Sequence, residues 1–262
     1  MAEESNGCEL AFSIDLELDV HHGGLSKHRE LGRVTNLLIN LFSSHGITAT
    51  WSVADPAVSA ATDGILNSSP KNEIAILADD NWAGALVPRS RFSRELARRV
   101  ESARQHGLSI STLALRAMPK VEHLDVLAGH RLTLLRPAIP PVLPKRSAQA
   151  LISIRYGLWQ CHATCAFPAG RRWWGANGLK KCRSAIERGS QDNQLIHIAI
   201  DAGALIETGS SGERHLAQLL SEVANRCENQ SLQVMTLNEL AQLKIQSHQA
   251  NPAHSILRPA AA

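Results

Sequence analysis

The stretch SSHGITATWSV, Ser43 to Val53, holds a helix end, a glycine and the start of a strand within eleven residues. Gly46 stands where a helix closes in left-handed backbone, which glycine adopts without steric cost. The run after it, Ile47 to Val53, is β-branched and aromatic and reads as a strand. Upstream, LGRVTNLLINLFSSHG (Leu31 to Gly46) has apolar residues at helical spacing, and CELAFSI (Cys8 to Ile14) is an apolar β-rich run. Strand, helix and strand in this order make a crossover unit with its two strands parallel.

Reading outward, the same alternation continues. NEIAIL (Asn72 to Leu77) is a third strand, Arg91 to Gly107 a second glycine-ended helix, and LSISTLAL (Leu108 to Leu115) a fourth strand. A helix near Val121 to Ala128 and a strand at Leu132 to Leu135 follow. RPAIPPVLPKR (Arg136 to Arg146) is too rich in proline for regular structure and is expected at the surface. Further strands are read at Ala150 to Ile154, Gln194 to Asp201 and Leu232 to Met235. Helices are read at Gly178 to Gly189 and Glu213 to Asn229, and a capped one at Thr236 to Lys244. About seven strands alternating with helices imply a parallel α/β sheet, more readily a barrel than an open sheet. One domain over residues 8–245 is expected, with a disordered N-terminus at 1–7 and a disordered polar tail at 246–262.

Composition removes several function classes. Lys and Arg exceed Asp and Glu by only three, and no basic run is interleaved with aromatics, so nucleic acid is not an expected partner. No apolar run reaches the roughly 20 residues that span a bilayer, and the acidic N-terminus has no signal-like core; no membrane association and a cytoplasmic location are expected. The five cysteines fit reduced thiols. Cys161, His162 and Cys165 in CHATC lack the second ligand pair of a structural zinc site.

In a parallel α/β protein the chemistry sits at the C-terminal strand ends. Those ends are Asp15 and Glu17, Trp51 to Asp55, Leu77 to Asn81, Arg116 and Asp201.

Taken in order, these ends resemble the polysaccharide deacetylase family, also called the NodB-homology or carbohydrate esterase four family. The resemblance runs from Cys8 to Lys244, and SSHGITATWSV, close to that family's hGi-x-ATFF, is its most specific part. It implies a distorted (β/α)7 barrel, hydrolysis of acetyl groups on sugars, and one divalent metal such as zinc. The family's T-F-D-D strand end, with a D-V-E variant, is similar to FSIDLELD; Asp15 falls on the general base and Leu16 on a metal ligand. The family motif H-E-I-A-x-H-x-x-x-H aligns with NEIAILADDNW, which sets Leu77 and Asn81 on the two histidine ligands. Its R-P-P-Y motif, whose arginine orients the base, is matched to LALRAMP, implying that Arg116 pairs with Asp15. The histidine of its late H-P motif, the general acid, is replaced by Asp201.

Leucine offers no lone pair, and an amide oxygen binds zinc weakly, so no metal or other cofactor is expected. The candidate catalytic positions are therefore Asp15, Arg116 and Asp201. Trp51, Asp79, Asp80, Asn81 and Trp82 are candidates for binding substrate, an N-acetylated sugar or glycan precursor. A degenerate deacetylase-like protein is the first reading. One alternative is an active acetamido-sugar deacetylase in which Asp79, Asp80, Asp201 or His21 rebuilds an acidic metal site. Another is a non-catalytic module that binds glycan, or that binds protein through Trp173, Trp174 and the proline loop.

Overall fold

The computed structural model describes residues 8–17, 25–116, 121–139, 150–168 and 175–250. Its centre is strand β1, Cys8–Asp15. The other strands are β2 (Thr50–Val53), β3 (Glu73–Ala78), β4 (Thr112–Leu115), β5 (Leu134–Arg136), β6 (Leu151–Ser153), β7 (Trp159–Cys161), β8 (Cys165–Phe167), β9 (Ile196–Asp201) and β10 (Leu232–Met235). Their order in the sheet is β6-β7-β5-β4-β3-β2-β1-β9-β8. β6 alone runs antiparallel to its partner. β1 shares one edge between two partners: Cys8 to Ala11 pair with β10, and Ser13 to Asp15 pair with β2.

The sheet curls until its two ends meet. β7 is next to last at one end of the strand order and β8 is last at the other, yet only residues 162–164 separate them in sequence. At about 3.5 Å per residue that link spans little more than 10 Å. His162 N–H donates to Ala150 C=O on one side of the seam, and Thr164 N–H to His197 C=O on the other. CHATC is thus the seam of the barrel. Its cysteines face opposite ways: Cys161 inward to His197, Cys165 outward to Cys182. They could not share one metal ion.

Strand alternation sorts the residues between an outer, helix-covered face and the interior. Leu10, Phe12 and Ile14 of β1 and Leu16 just after it join the outer core, while Ser13 and Asp15 face inward with His197 and Asp201 of β9. Helix α1, Leu25–Ser44, buries Val34, Leu38 and Phe42 at helical spacing, and Phe42 packs edge-on against Phe12 and Trp51. Gly46 ends this segment at φ +63°, as the opening stretch requires. A short α2 is Thr62–Ser68, and α3 is Asp80–Ala83. The arginine-rich helix is α4, Arg89–Gln105, which buries Phe92, Leu96, Val100 and Ala103. Its basic face is solvated and laced to Glu95, Glu101, Asp55 and Asp125. The remaining helices are α5 (Leu124–Gly129), α6 (Gly175–Asp192), α7 (Ala202–Glu228) and α8 (Leu237–Ala250). α7 is broken at Gly209, whose φ of +57° and ψ of −150° suit glycine alone.

α8 plugs the N-terminal end of the barrel, with Leu237, Leu240 and Ala241 against Ala11, Leu134, Trp159 and Met235. Thr236 and Glu239 form a capping box, each side chain accepting from the other's backbone N–H. The helix runs to Ala250, so the expected disordered tail from Gln246 starts too early. IQSHQA holds neither glycine nor proline, and the first breaker is Pro252. No helix among the described residues is long and apolar enough to cross a membrane.

Candidate functional site

Parallel pairing brings the expected strand ends to one rim. Asp15 is in register with Ser52 and with Asp201, Val53 with Ile76, and Ala78 with Leu115. Arg116 N–H donates to Ala78 C=O.

At the floor of this rim Asp15, 7% exposed, is hydrogen-bonded to Arg136, which is fully buried. β1 and β5 are four places apart in the sheet order, so this ion pair crosses the barrel interior and could form only in a curled sheet. The expected Asp15–Arg116 pair is not what forms. Arg116 turns instead to Glu17, donating to its backbone carbonyl at 2.7 Å and standing 4.0 Å from its carboxylate. The expectation that Arg136 begins a surface loop fails for the same reason: it is the last residue of β5, on the inward face. The signal was present in the sequence. Arg136-Pro137 offers the adjacent arginine and proline that the resemblance to R-P-P-Y asks for, directly after an apolar run, whereas Arg116 has no proline next to it.

Asp201 caps α7 by accepting from Ala204 N–H at 3.0 Å. Burial raises its pKa above the usual aspartate range, and the neighbouring Asp15 adds to that rise. Burial likewise raises Glu17, against the pull of Ala54 N–H, which donates to it at 2.7 Å. Two buried donors here have no partner, Ser52 Oγ and Arg136 Nε.

The other candidates have ordinary work. Asp79 caps α3, accepting from Asn81 N–H and from the Asn81 side-chain amide, while Asp80 and Asn81 are exposed. Trp51 alternates to the outer face and is fully buried against Phe42. Trp82 is 4% exposed, stacked on Phe92 and covered by the Arg99 guanidinium at 4.4 Å. Neither ring is open to a sugar, which corrects their reading as substrate-binding residues. Trp159 packs in the barrel interior. His21, Trp173 and Trp174 lie outside the described residues, as does most of the proline loop.

The positions that would hold the family's metal do not suit one. Leu16 points into the outer core, Leu77 is 2% exposed on the inward face, and Asn81 is engaged with Asp79. Glu17, the nearest substitute for Leu16, is held by Ala54 and Arg116. Among the described residues no three His, Cys, Asp or Glu side chains form a group that could bind a metal ion.

No family profile matches the sequence, and no curated protein is detected as a relative. Solved structures do match. A structure described as a polysaccharide deacetylase from Mycobacterium smegmatis superposes with a TM-score of 0.72 at 12% identity, covering 100% of this chain and 97% of that one. Another so described, from Pseudomonas aeruginosa, gives 0.66 at 8% identity, covering 93% and 92%. The fold is that of the polysaccharide deacetylases. A deacetylase-type barrel is not tied to one substrate, since an allantoinase also superposes, at a TM-score of 0.64, 8% identity and coverage of 93% and 91%. At such identities the site must be argued from this chain's own residues.

Proposed function

We propose that this chain is a deacetylase-fold protein that recognises an N-acetylated sugar or glycan precursor without carrying out metal-dependent deacetylation. The observation behind this reading is Leu77, a buried apolar side chain on the inward face where the deacetylase resemblance calls for a histidine ligand. A hydrolytic metal needs about three protein ligands and an open position for water. Two of the three inherited positions are leucines, and one of those, Leu16, faces away from the site. The polar groups left at the rim, Glu17, Arg116 and Asp201 above the Asp15–Arg136 pair, can make hydrogen bonds to hydroxyl and acetamido groups. Asp15 is then a buried acid paired with Arg136, a remnant of the base position.

The test is metal analysis of the purified protein, deacetylation assays on chito-oligosaccharides with zinc, cobalt or nickel added, and calorimetric titration with the same sugars. Binding without metal and without acetate release is expected. One equivalent of tightly bound metal, with acetate release that is lost in Asp15→Asn, would overturn the reading.

A further inference from the structure

Cys165 on the edge strand β8 and Cys182 on the covering helix α6 are both buried, with their sulfurs 3.4 Å apart. We propose that these two cysteines are a modification site, a dithiol that peroxide closes into a disulfide bolting the edge strand to its helix.

The other three thiols are placed differently. Cys8 donates to Gln194 C=O, Cys161 faces His197 across the interior, and Cys227 is half-buried on α7. Buried cysteine is often just a small apolar residue. Here, however, the Cys165 S–H is directed at the Cys182 sulfur, and a disulfide needs those sulfurs to close to about 2.05 Å. That is a move of little more than 1 Å, within reach of side-chain rotation where strand and helix already pack. The hydrogen bond to Cys182 and burial push the Cys165 thiol up, which makes Cys165 the poorer first nucleophile and the natural resolving thiol.

In the first step the Cys182 sulfur attacks one oxygen of hydrogen peroxide, and the thiol proton passes to the oxygen that departs. The O–O bond breaks, a sulfenic acid forms, and the departing hydroxide leaves with that proton as water. The Cys165 sulfur then attacks that of Cys182; the S–S bond forms, the S–O bond breaks, and hydroxide leaves with the Cys165 proton as a second water. Two thiols are oxidised and one peroxide is reduced to two waters.

The experiment exposes the native full-length chain to hydrogen peroxide below its melting temperature, then alkylates it under denaturing conditions. Expected are a mass lower by two hydrogens before alkylation, three alkylatable thiols instead of the five of the reduced chain, and a mapped Cys165–Cys182 bridge reversed by dithiothreitol. The melting temperature should rise by about 5 °C. C165S should leave a sulfenic acid at Cys182 that dimedone traps, and C182S should give no bridge. Five alkylatable thiols after exposure, or a bridge between any other pair, would overturn the proposal. The wild-type mapping decides it even if neither serine variant folds.

Discussion

The two ends of the barrel each bury a carboxylate, and they satisfy it by opposite means. At the N-terminal end Glu73 is held by neutral donors. Thr50 Oγ1 stands at 2.7 Å, Thr112 Oγ1 at 2.5 Å, Ser111 Oγ at 3.0 Å, and Asn238 N–H, in the first turn of α8, at 2.9 Å. At the C-terminal end Asp15 is held by a single buried cation, Arg136, while Ser52 Oγ and Arg136 Nε beside it go unpaired. The first arrangement ties β2, β3, β4 and the closing helix through one side chain whose two oxygens both have donors, with the Asn238 Oδ1 beside it left unpartnered. The second rests on one charge, and one of the two unpaired groups beside it is on the cation itself. The comparison separates a carboxylate held by a network of neutral donors from one held by a single charge.

Neutral substitutions test that difference most strongly at Arg136. Arg136→Met keeps much of the volume but strands the Asp15 charge in the interior, so a loss of about 3–5 kcal/mol is expected in denaturant unfolding at pH 7. The double variant with Asp15→Asn should recover a large part of it. A single variant as stable as wild type would mean that Asp15 reaches water, and that the two ends are not held differently.

Glu73 should respond to shape rather than charge. Glu73→Ala leaves three hydroxyls and the Asn238 N–H without their acceptor and should cost on the order of 3 kcal/mol. Glu73→Gln can donate to Ser111 and Thr112 while its oxygen accepts from Asn238, so its cost should stay within about 1 kcal/mol. Burial raises the Glu73 pKa, so the native state itself tolerates a neutral group here. If Gln proved as damaging as Ala, the N-terminal end would also be held by charge.

Arg116 comes next in size. The sequence made it the partner of Asp15, for which removal would strand a charge. In the folded protein its side chain is 18% exposed and its carboxylate contact is 4.0 Å long, leaving one hydrogen bond to a carbonyl. Arg116→Ala should therefore cost about 1 kcal/mol or less. A loss as large as that of Arg136→Met would restore Arg116 to the base-orienting role.

That exchange of arginines marks where local periodicity stopped being informative. Strand–helix alternation located the sheet, the common rim and the capped last helix, because each follows from a local period or a cap. Trp51 could have been set aside on the same grounds: inward Asp15 pairs in register with Ser52, and Trp51 must alternate outward. The partner of Asp15 could not be found this way, since it depends on which strand the curled sheet brings across the interior. β7 and β8 were missed because WQC and CAF are short and hold no β-branched residue, and CHATC looked like a ligand motif until the seam gave it a position. The thiol pair was equally hidden, as it joins one edge strand to one helix face.

The smallest effect expected is the pH dependence set by Asp201, and its sign matters more than its size. Burial and Asp15 raise its pKa in the folded state above the unfolded value, so between those two values the native chain binds more protons than the unfolded chain. Stability contributed by this group is then present below the unfolded aspartate pKa and falls as pH rises through the window up to the folded value. Asp201→Asn removes the titration yet keeps an oxygen that can cap α7 by accepting from Ala204. The variant should match wild type near pH 3 and become the more stable of the two by pH 7, as read from melting temperatures across that range. Asp15 enters the expectation twice, as the like charge that raises Asp201 and as the group Arg136 neutralises. In the Asp15→Asn background the gap between Asp201→Asn and its parent should narrow at pH 7. A gap that stayed the same there would assign the shift to burial alone, and a gap of opposite sign would mean that Asp201 is ionised and stabilised by Arg116 and the helix N-terminus. The C-terminal end would then hold two charged carboxylates, and its contrast with Glu73 would be sharper still.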